Sequence, residues 1–389
     1  MKSKNQETKS REFHIDAFPS DRIFVYLRED FHKKIFSRIK KYKFKEFNNQ
    51  FFSNRLNWST FKQWKRRKTD LNFRIKIHFI PLWFIIKLSK IFPEFSIAKF
   101  EKNIISIKGP SSSSIIQNPA LPLKEDERLI KIVAHFLGDG SVGGGFGSLL
   151  PKGKTHSEYR NFSLELLDSF ERDLSIFGEV PTTKNYQSGY LIIPNLIGYV
   201  LSHIYNIKFD TFNSRVPKRL FELPKELVAS FLRAFADDEG HVYDSNIDYY
   251  STNRELLQDI LFLMNKNFTE IKTSKIKANF KAGKNIKYSF TIYHSSQKTF
   301  LNLIGFDHNQ KRKDLIFNLT RRKNKSNRNP KQKILKLLEN NNFTAKQISR
   351  LLNIRHSTAS DYLRELRDLG KVKLLKKENW SNIWTINKR

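Results

Sequence analysis

The chain has 389 residues, with 71 Lys and Arg against 38 Asp and Glu, which gives a formal net charge of +33. Such an excess has to face a polyanion or stay solvated, and nucleic acid is the first candidate. Cysteine is absent, which excludes disulfides and thiolate metal sites, and no apolar run reaches the roughly 20 residues of a membrane span. These features predict a cytoplasmic polyanion binder that does not span a membrane, with a membrane surface as the second candidate partner.

The N-terminal third reads as two segments. Residues 1–30 are polar and mixed in charge, so we expect a frayed terminus. Residues 31–108 carry apolar side chains at helical spacing, which predicts an all-α module, with a helix-turn-helix as one candidate. Within it, Trp58, Phe61 and Trp64 are expected to pack inward from one helix. The Gly, Pro and Ser residues of 109–120 indicate a linker.

A larger α+β domain follows and repeats internally. Each half is predicted to have the order αββαββα, that is, a helix, two strands, a helix, two strands and a helix. We expect Phe162-Ser163 to match Tyr250-Ser251, and the strand at 190–193 to match that at 288–293. The predicted boundaries are 121–319 for the domain, 121–220 for repeat one and 224–319 for repeat two.

After a basic linker at 320–332, residues 333–389 have the pattern of a winged helix-turn-helix. Thr344 and Ser357 are the predicted caps of its second and third helices, and a hairpin forms the wing. The third helix can enter a major groove while the wing contacts phosphate. A winged helix that binds protein is the alternative. The DNA-contacting candidates are Ser357, Thr358, Ser360, Arg364, Lys376 and Lys377.

The most informative feature is a pair of apolar helices that each end in an acid and a glycine. The segment Ile132–Gly140 ends in Asp139-Gly140, and the segment Leu232–Gly240 ends in Glu239-Gly240. The two acids are a hundred residues apart (239 − 139 = 100). Ala134 and Gly138 are small and four residues apart, so they share one helix face and allow two helices to approach closely. We therefore expect the two acids to be neighbours in space.

Two carboxylates at adjacent helix C-termini are disfavoured by the helix dipoles and by each other, and a divalent cation relieves both effects. Carboxylates and backbone carbonyls form a hard oxygen site that suits Mg²⁺. The predicted ligands are Asp139, Glu239 and Gly138, with Asp238 as a further candidate. A single acid-glycine end is usually a C-cap beside a solvated acid. Two copies in register in a basic chain favour the metal site.

The two segments resemble the paired signature helices of the LAGLIDADG homing endonucleases, and residues 121–319 resemble their single-chain, two-repeat form. The resemblance implies an archaeal, intron-encoded, monomeric enzyme that hydrolyses both strands of a non-palindromic DNA site. It implies that Asp139 and Glu239 are catalytic acids sharing two or more Mg²⁺ ions. The C-terminal unit is similar to the winged helices of archaeal regulators.

The resemblance also implies a basic residue near each cut phosphate. Ser214 stands where a lysine is expected, so Arg215 or Lys218 would have to serve in repeat one. In repeat two the candidates are Lys287 and the cluster Lys311-Arg312-Lys313. Lys218 and Lys287 are the predicted catalytic residues. A phosphate-contacting role is the alternative for each. Further DNA-binding candidates are Arg215, Lys311, Arg312 and Lys313.

Two other functions stand beside the nuclease. A DNA-binding transcriptional regulator can use this scaffold with the acids lost, and retention of Asp139 and Glu239 argues against it. An RNA-splicing maturase can keep the acids, with intron RNA as its partner. The helix ends are unequal, because Asp237-Asp238 precedes Glu239, so the second is the one expected to be impaired if either is.

Overall fold

The computed structural model describes residues 11–65, 79–109, 114–142, 156–280, 286–320, 329–378 and 381–387. The chain divides into two compact units. The first is formed by Met1–Glu239, Tyr250–Thr269 and Ile276–Ser289, and the second by Gly240–Tyr249, Glu270–Lys275 and Phe290–Arg389. No helix in the described part of the chain is long and apolar enough to cross a membrane.

The N-terminal module contains a sheet, so the all-α prediction is wrong. Strands β2, β3, β4 and β5 form a four-stranded antiparallel sheet in the order β3-β2-β4-β5, and β5 lies inside the predicted linker. Phe61 and Trp64 are buried as predicted, whereas Trp58 is 50% exposed. The elements are β1 (Glu12–Phe13), β2 (Phe24–Leu27), α1 (Glu29–Ile39), α2 (Phe44–Phe52), α3 (Trp58–Lys65), β3 (Ile80–Pro81), α4 (Leu82–Ile91), α5 (Ile97–Asn103), β4 (Ile104–Lys108) and β5 (Ile115–Gln117).

The predicted fraying of residues 1–30 is also wrong for residues 11–30, and residues 1–10 lie outside the described ranges. Strand β1 pairs with β6 (Leu123–Lys124). The buried Glu101 carboxylate accepts hydrogen bonds from the Ile15 amide at 2.8 Å and from His14 Nδ1 at 3.0 Å. Apolar side chains of this segment are buried as well. The mixed charge of the segment predicted fraying because it gives no sign of the strand pairing.

The duplicated α+β architecture is confirmed. Repeat one contains α6 (Glu127–Gly138), β7 (Gly140–Ser141), β8 (Ser157–Arg160), α7 (Leu164–Asp173), β9 (Thr183–Asn185), β10 (Tyr190–Ile193) and α8 (Asn195–Tyr205). Repeat two contains α9 (Lys225–Glu239), β11 (Gly240–Val242), β12 (Asn246–Ser251), α10 (Arg254–Asn267), β13 (Lys277–Asn279), β14 (Lys287–Tyr293) and α11 (Gln297–Leu303). The sheets have equivalent strand orders, β7-β8-β10-β9 and β11-β12-β14-β13.

The strand register corrects one predicted correspondence between the repeats. Gly140 pairs with Tyr159, and Gly240 pairs with Tyr249, so these two buried tyrosines are the equivalent residues. The helix caps agree, because Ser163 caps α7 and Asn253 caps α10, each four residues after its tyrosine. The match of Phe162-Ser163 to Tyr250-Ser251 is therefore wrong by two positions.

The C-terminal unit has the predicted winged-helix order. It follows α12 (Asn309–Thr320), and residues 321–328 of the predicted linker lie outside the described ranges. Leucine, isoleucine and alanine side chains from three helices form its core with Trp384 of the hairpin. Its elements are α13 (Pro330–Asn340), β15 (Phe343–Thr344), α14 (Ala345–Leu351), α15 (His356–Asp368), β16 (Val372–Glu378) and β17 (Ser381–Ile386).

Helix α7 supplies a test of the repeat-one core. Burial raises the pKa of Asp173 to about 6, from 3.8. The folded state therefore favours the neutral acid, and the cost of ionising it grows as pH rises from 3.8 through about 6. We expect Asp173→Asn to raise the melting temperature by a few degrees near pH 8, with a gain that shrinks toward pH 4.

Asp168 on the same helix is the matched control. A hydrogen bond from Lys184 lowers the pKa of Asp168, so its stabilising effect is present above 3.8 and is lost only at lower pH. Asp168→Asn should lower the melting temperature at both pH values. A gain for Asp173→Asn that does not depend on pH would contradict the account.

Candidate active site

The helix pair α6 and α9 packs through small and apolar side chains. Asp126 begins α6 by accepting hydrogen bonds from the amides of Arg128 and Leu129. Ala134 and Ala234 are both buried, as expected for two helices whose backbones approach closely. Both helices run into the first strand of their own sheet, β7 and β11. The packing therefore brings together the two ends at which the predicted acids lie.

Gly138 and Asp238 make the closest contact at these ends. A Cβ atom added to Gly138 would lie 2.7 Å from Asp238 Oδ2 and 2.8 Å from Asp238 Cβ, which is too close for any side chain. A Cβ on Gly140 would lie 2.5 Å from the Phe136 Cα atom. Glycine is thus required at both positions by neighbouring atoms.

The Asp238 carboxylate is held by side chains of repeat one. It accepts a hydrogen bond from Tyr159 Oη at 2.7 Å and pairs with His135 Nδ1 at 2.9 Å. Asn161 Nδ2 lies 3.3 Å from its Oδ1 atom. The side chains of Asp238 and His135 are 0% and 5% exposed, so this is a buried polar network between the two helices.

Electrostatics at this network favour a charged pair. Burial lowers the pKa of His135, but the adjacent Asp238 carboxylate outweighs that effect and raises the net pKa above 6.5. Burial, reinforced by Asp238, also raises the pKa of the Tyr159 hydroxyl well above its usual value. Tyr159 therefore stays a hydrogen-bond donor to the Asp238 carboxylate.

Asp139 and Glu239 lie next to this contact. Asp139 is the C-cap of α6 and is exposed, and Glu239 ends α9 half-buried. Asn161 Nδ2 lies 3.4 Å from Asp139 Oδ2 as well as 3.3 Å from Asp238 Oδ1, so it spans the two helix ends. The Arg160 amide donates to the Asp139 carbonyl at 3.2 Å, which fixes the end of α6 on β8.

The donor set fits a hydrated divalent ion and not a closed cage. Among the described residues, no group of three or more His, Cys, Asp and Glu side chains could hold a metal ion. Mg²⁺ in nucleotide-processing sites is often held by one or two carboxylates, with water and substrate phosphate completing its shell. Asp139 and Glu239 at the two helix ends supply the two carboxylates of that pattern. Asp238 differs, because its side chain is buried.

The predicted basic residues occupy different settings. Arg215 forms a two-pronged ion pair with Asp259, with both distances 2.7 Å, and lies 3.4 Å from Glu255. Ser214, where a lysine was expected, is buried and donates to the Lys208 carbonyl at 2.8 Å. Lys218 is exposed at the start of the turn before α9, and Lys287 is the exposed first residue of β14.

The remaining DNA-binding candidates lie in the second unit. Arg312 and Lys313 are exposed on α12, and Lys311 is half-buried there. On α15, Ser357 and Arg364 are exposed, and Thr358 and Ser360 are half-buried. Lys376 and Lys377 are exposed on β16 of the wing.

Sequence reasoning missed the network that supports the acids. The predicted site residues do not include His135, Tyr159 or Asn161. The available signal was asymmetry: an aspartate at position 238 opposite a glycine at 138 needs donors around it. Those donors could not be chosen from the sequence, because they reach the site through the register of β8.

Comparison with known proteins agrees with the fold and the motifs. Residues 226–305 match the family model described as LAGLIDADG-like domain, and residues 331–373 match that described as bacterial regulatory protein, arsR family. The chain therefore carries a LAGLIDADG-like domain followed by an ArsR-type helix-turn-helix, which confirms the resemblance. The first repeat lies outside the matched span and is assigned by its equivalent elements and sheet order.

Curated relatives match only in part. The chain is 29% identical over 163 residues to a probable translation initiation factor IF-2 of Methanocaldococcus jannaschii, covering 39% of this chain and 14% of that protein. It is 26% identical over 246 residues to a DNA polymerase of a Thermococcus species, covering 58% of this chain and 13% of that protein. The chain thus spans about a seventh of the length of these relatives.

Solved structures with a similar arrangement include two homing endonucleases. I-DmoI in complex with DNA and Mn has a TM-score of 0.31 and 16% identity, covering 46% of this chain and 97% of that one. I-WcaI bound to its DNA recognition sequence has a TM-score of 0.27 and 13% identity, covering 48% and 86%.

The contact between Gly138 and Asp238 generates a test by double-mutant cycle. We expect Gly138→Ala to lower the free energy of unfolding by about 1–3 kcal/mol, because the added methyl group overlaps the Asp238 side chain. In an Asp238→Ala background most of that cost should disappear. Urea denaturation of the four proteins measures the coupling. An equal cost in both backgrounds would show that the overlap is not with Asp238.

Proposed function

We propose that this protein is a site-specific, double-strand DNA endonuclease of the homing type that uses Asp139 and Glu239 as its catalytic acids. The contact between Gly138 and Asp238 carries the proposal, because it joins the two helices one residue before each acid. Two carboxylates at one end of a helix pair, each beside a sheet of its own repeat, form a centre suited to two strands of one duplex.

Each residue at this centre has a role that its position supports. Asp139 and Glu239 would hold the divalent ions, with the Gly138 carbonyl as a further oxygen. Asp238 is a positioning residue in this proposal, because its buried carboxylate binds His135 and Tyr159. Asn161 would orient the exposed Asp139 carboxylate.

Lys218 and Lys287 are the proposed cations for the cut phosphates, because both are exposed.

Mg²⁺ is the proposed ion, and when bound it would supply Lewis-acid activation of water and charge neutralisation at the leaving oxygen. The chain's part is to hold the two carboxylates at the ends of α6 and α9. The helix dipoles disfavour bare carboxylates there, which strengthens the attraction for a cation. The charge of +33 would bring the DNA backbone to this centre.

The winged helix supports a second candidate function, that of a transcriptional regulator, because the family model matched at residues 331–373 describes regulatory proteins. Both functions require duplex DNA as the partner. Only the nuclease requires the carboxylates of Asp139 and Glu239. A regulator that binds without cutting would lose little affinity when Asp139 is neutralised.

The nuclease is tested by selecting cleaved molecules from a library of randomised duplexes, with Mg²⁺ and with EDTA. We expect metal-dependent cutting of both strands at a defined sequence. Asp139→Asn and Glu239→Gln should each reduce single-turnover cutting by at least about a hundredfold, since each removes a ligand that the transition state requires.

Glu226→Gln is the matched control. Glu226 lies in the first turn of α9, about 20 Å along the helix from Glu239. Its substitution should leave cutting unchanged. Binding of DNA with no cutting by the unaltered protein would favour the regulator. Undiminished cutting by either site variant would remove that acid from the mechanism.

Metal binding has a separate readout. Titration of the protein alone with Mn²⁺, followed by water proton relaxation, should show weak sites that Asp139→Asn and Glu239→Gln each weaken further, whereas Glu226→Gln should not. Equal binding by all four proteins would place the metal elsewhere even if cutting is lost.

A further inference from the structure

Asp314 of α12 holds the second helix of the winged-helix unit. Its carboxylate pairs with Lys346 at 2.5 Å and with Arg350, both on α14. Gln310 donates to the same carboxylate at 2.9 Å. The Asp314 side chain is 15% exposed, so the two cations that face it are engaged at a partly buried acid.

A second acid lies at the start of the recognition helix. Asp244, in the turn between β11 and β12, accepts a hydrogen bond from the Ser357 amide at 3.3 Å, in the first turn of α15. Asn318 of α12 donates to the Tyr243 carbonyl at 2.8 Å, which ties that turn to α12. Asp244 and Asp314 therefore belong to one block that faces α14 and α15.

These contacts use the groups by which helix-turn-helix units meet DNA. In such units the first helix of the motif crosses the phosphate backbone, and the N-terminal residues of the recognition helix contact bases. Here those two places correspond to Lys346 and Arg350 on α14, and to the amide end of α15. An aspartate carboxylate occupies each of them.

The charge of α15 makes the α14 cations decisive. Residues His356–Asp368 contain two arginines and three acids, so with His neutral the helix has a net charge of 2 − 3 = −1. The net charge of the helix therefore adds no attraction for phosphate. The cations that line the cleft are Lys346, Arg350 and Arg355, and Asp314 pairs with the first two.

The contacts of Asp244 and Asp314 with α14 and α15 are polar and lie beside a cleft. A cleft of about 500 Å³ lies between the β11–β12 turn, α12, α14 and the start of α15. Ion pairs beside an open cleft are screened by salt and compete poorly with a polyanion, whereas a close-packed apolar seam would not be displaced. Ion pairs of this kind can therefore break and re-form as α14 leaves and rejoins Asp314.

We infer that α14 and the start of α15 form a surface for the duplex DNA backbone that Asp244 and Asp314 occupy, so that DNA and the two carboxylates compete for it. The winged-helix unit is then closed against its own chain until DNA displaces the acids. This inference rests on the proposed function only in taking duplex DNA as the partner.

The test compares Asp314→Asn with Glu339→Gln in the full chain. Glu339 is exposed on α13, so its neutralisation changes the net charge by the same amount. Binding to a labelled mixed-sequence duplex is measured by fluorescence anisotropy between about 50 and 200 mM salt. We expect Asp314→Asn to bind roughly three- to tenfold tighter at the lowest salt, with a steeper salt dependence by about 1–2 in the log–log slope, since two cations are released to phosphate. Glu339→Gln should stay within about twofold of the unaltered protein.

One triple variant and one exchange measurement separate closure from a general charge effect. Adding Lys346→Ala and Arg350→Ala to Asp314→Asn should abolish the gain in affinity. Hydrogen exchange in α14 should be faster in Asp314→Asn without DNA, and unchanged in Glu339→Gln. Weaker or equal binding by Asp314→Asn would overturn the inference and indicate that the docked unit itself is the DNA-binding form. An unaltered protein that binds no DNA would instead contradict the proposed function.

Discussion

A buried carboxylate between two helices is the constraint on which this structure depends. Asp238 sits where its α9 backbone meets α6, and it fits only because residue 138 is a glycine. Its carboxylate pairs with His135 and accepts hydrogen bonds from Tyr159 and Asn161. Hydrogen bonds to a buried charge contribute about 1.5–3 kcal/mol each, and an unmatched buried charge would cost more. The network thus fixes the two helices in one relative position.

That arrangement makes the two repeats unequal by necessity. If both helices carried an aspartate at this point, two buried carboxylates would face each other, so one repeat supplies the acid and the other supplies glycine and donors. The second helix end, suspected from sequence as the impaired one because of Asp237-Asp238, is the one that Asp238 anchors. Asn161 links the network to Asp139, and Glu239 directly follows Asp238 in the chain. The network therefore supports the two helix ends at which these acids lie.

The sequence predicted the parts of this account that depend on periodicity. The αββαββα order, the two acid-glycine helix ends and the winged helix follow from repeating apolar patterns and caps. It failed where a long-range contact decides the outcome. Residues 11–30 look frayed because their charges are mixed, yet Glu101 binds the Ile15 amide and β6 pairs with β1. The sheet of the N-terminal module and the Tyr159–Tyr249 equivalence depend on strand register, which spacing alone does not give. In the sequence Asp314 is one acid beside the cluster Lys311-Arg312-Lys313, and its pairing with Lys346 and Arg350 follows only from the fold.

The central claim is that Asp139 and Glu239 belong to one metal centre formed by two helix ends. Fe²⁺ can replace Mg²⁺ at carboxylate sites, and with ascorbate and peroxide it cuts a polypeptide chain where it is bound. Mass spectrometry of the fragments then locates the ion directly. The account predicts two cuts in the same molecule, one within a few residues of Asp139 and one within a few residues of Glu239, both suppressed by excess Mg²⁺. A cut near one acid alone, or cuts at neither position, would contradict it.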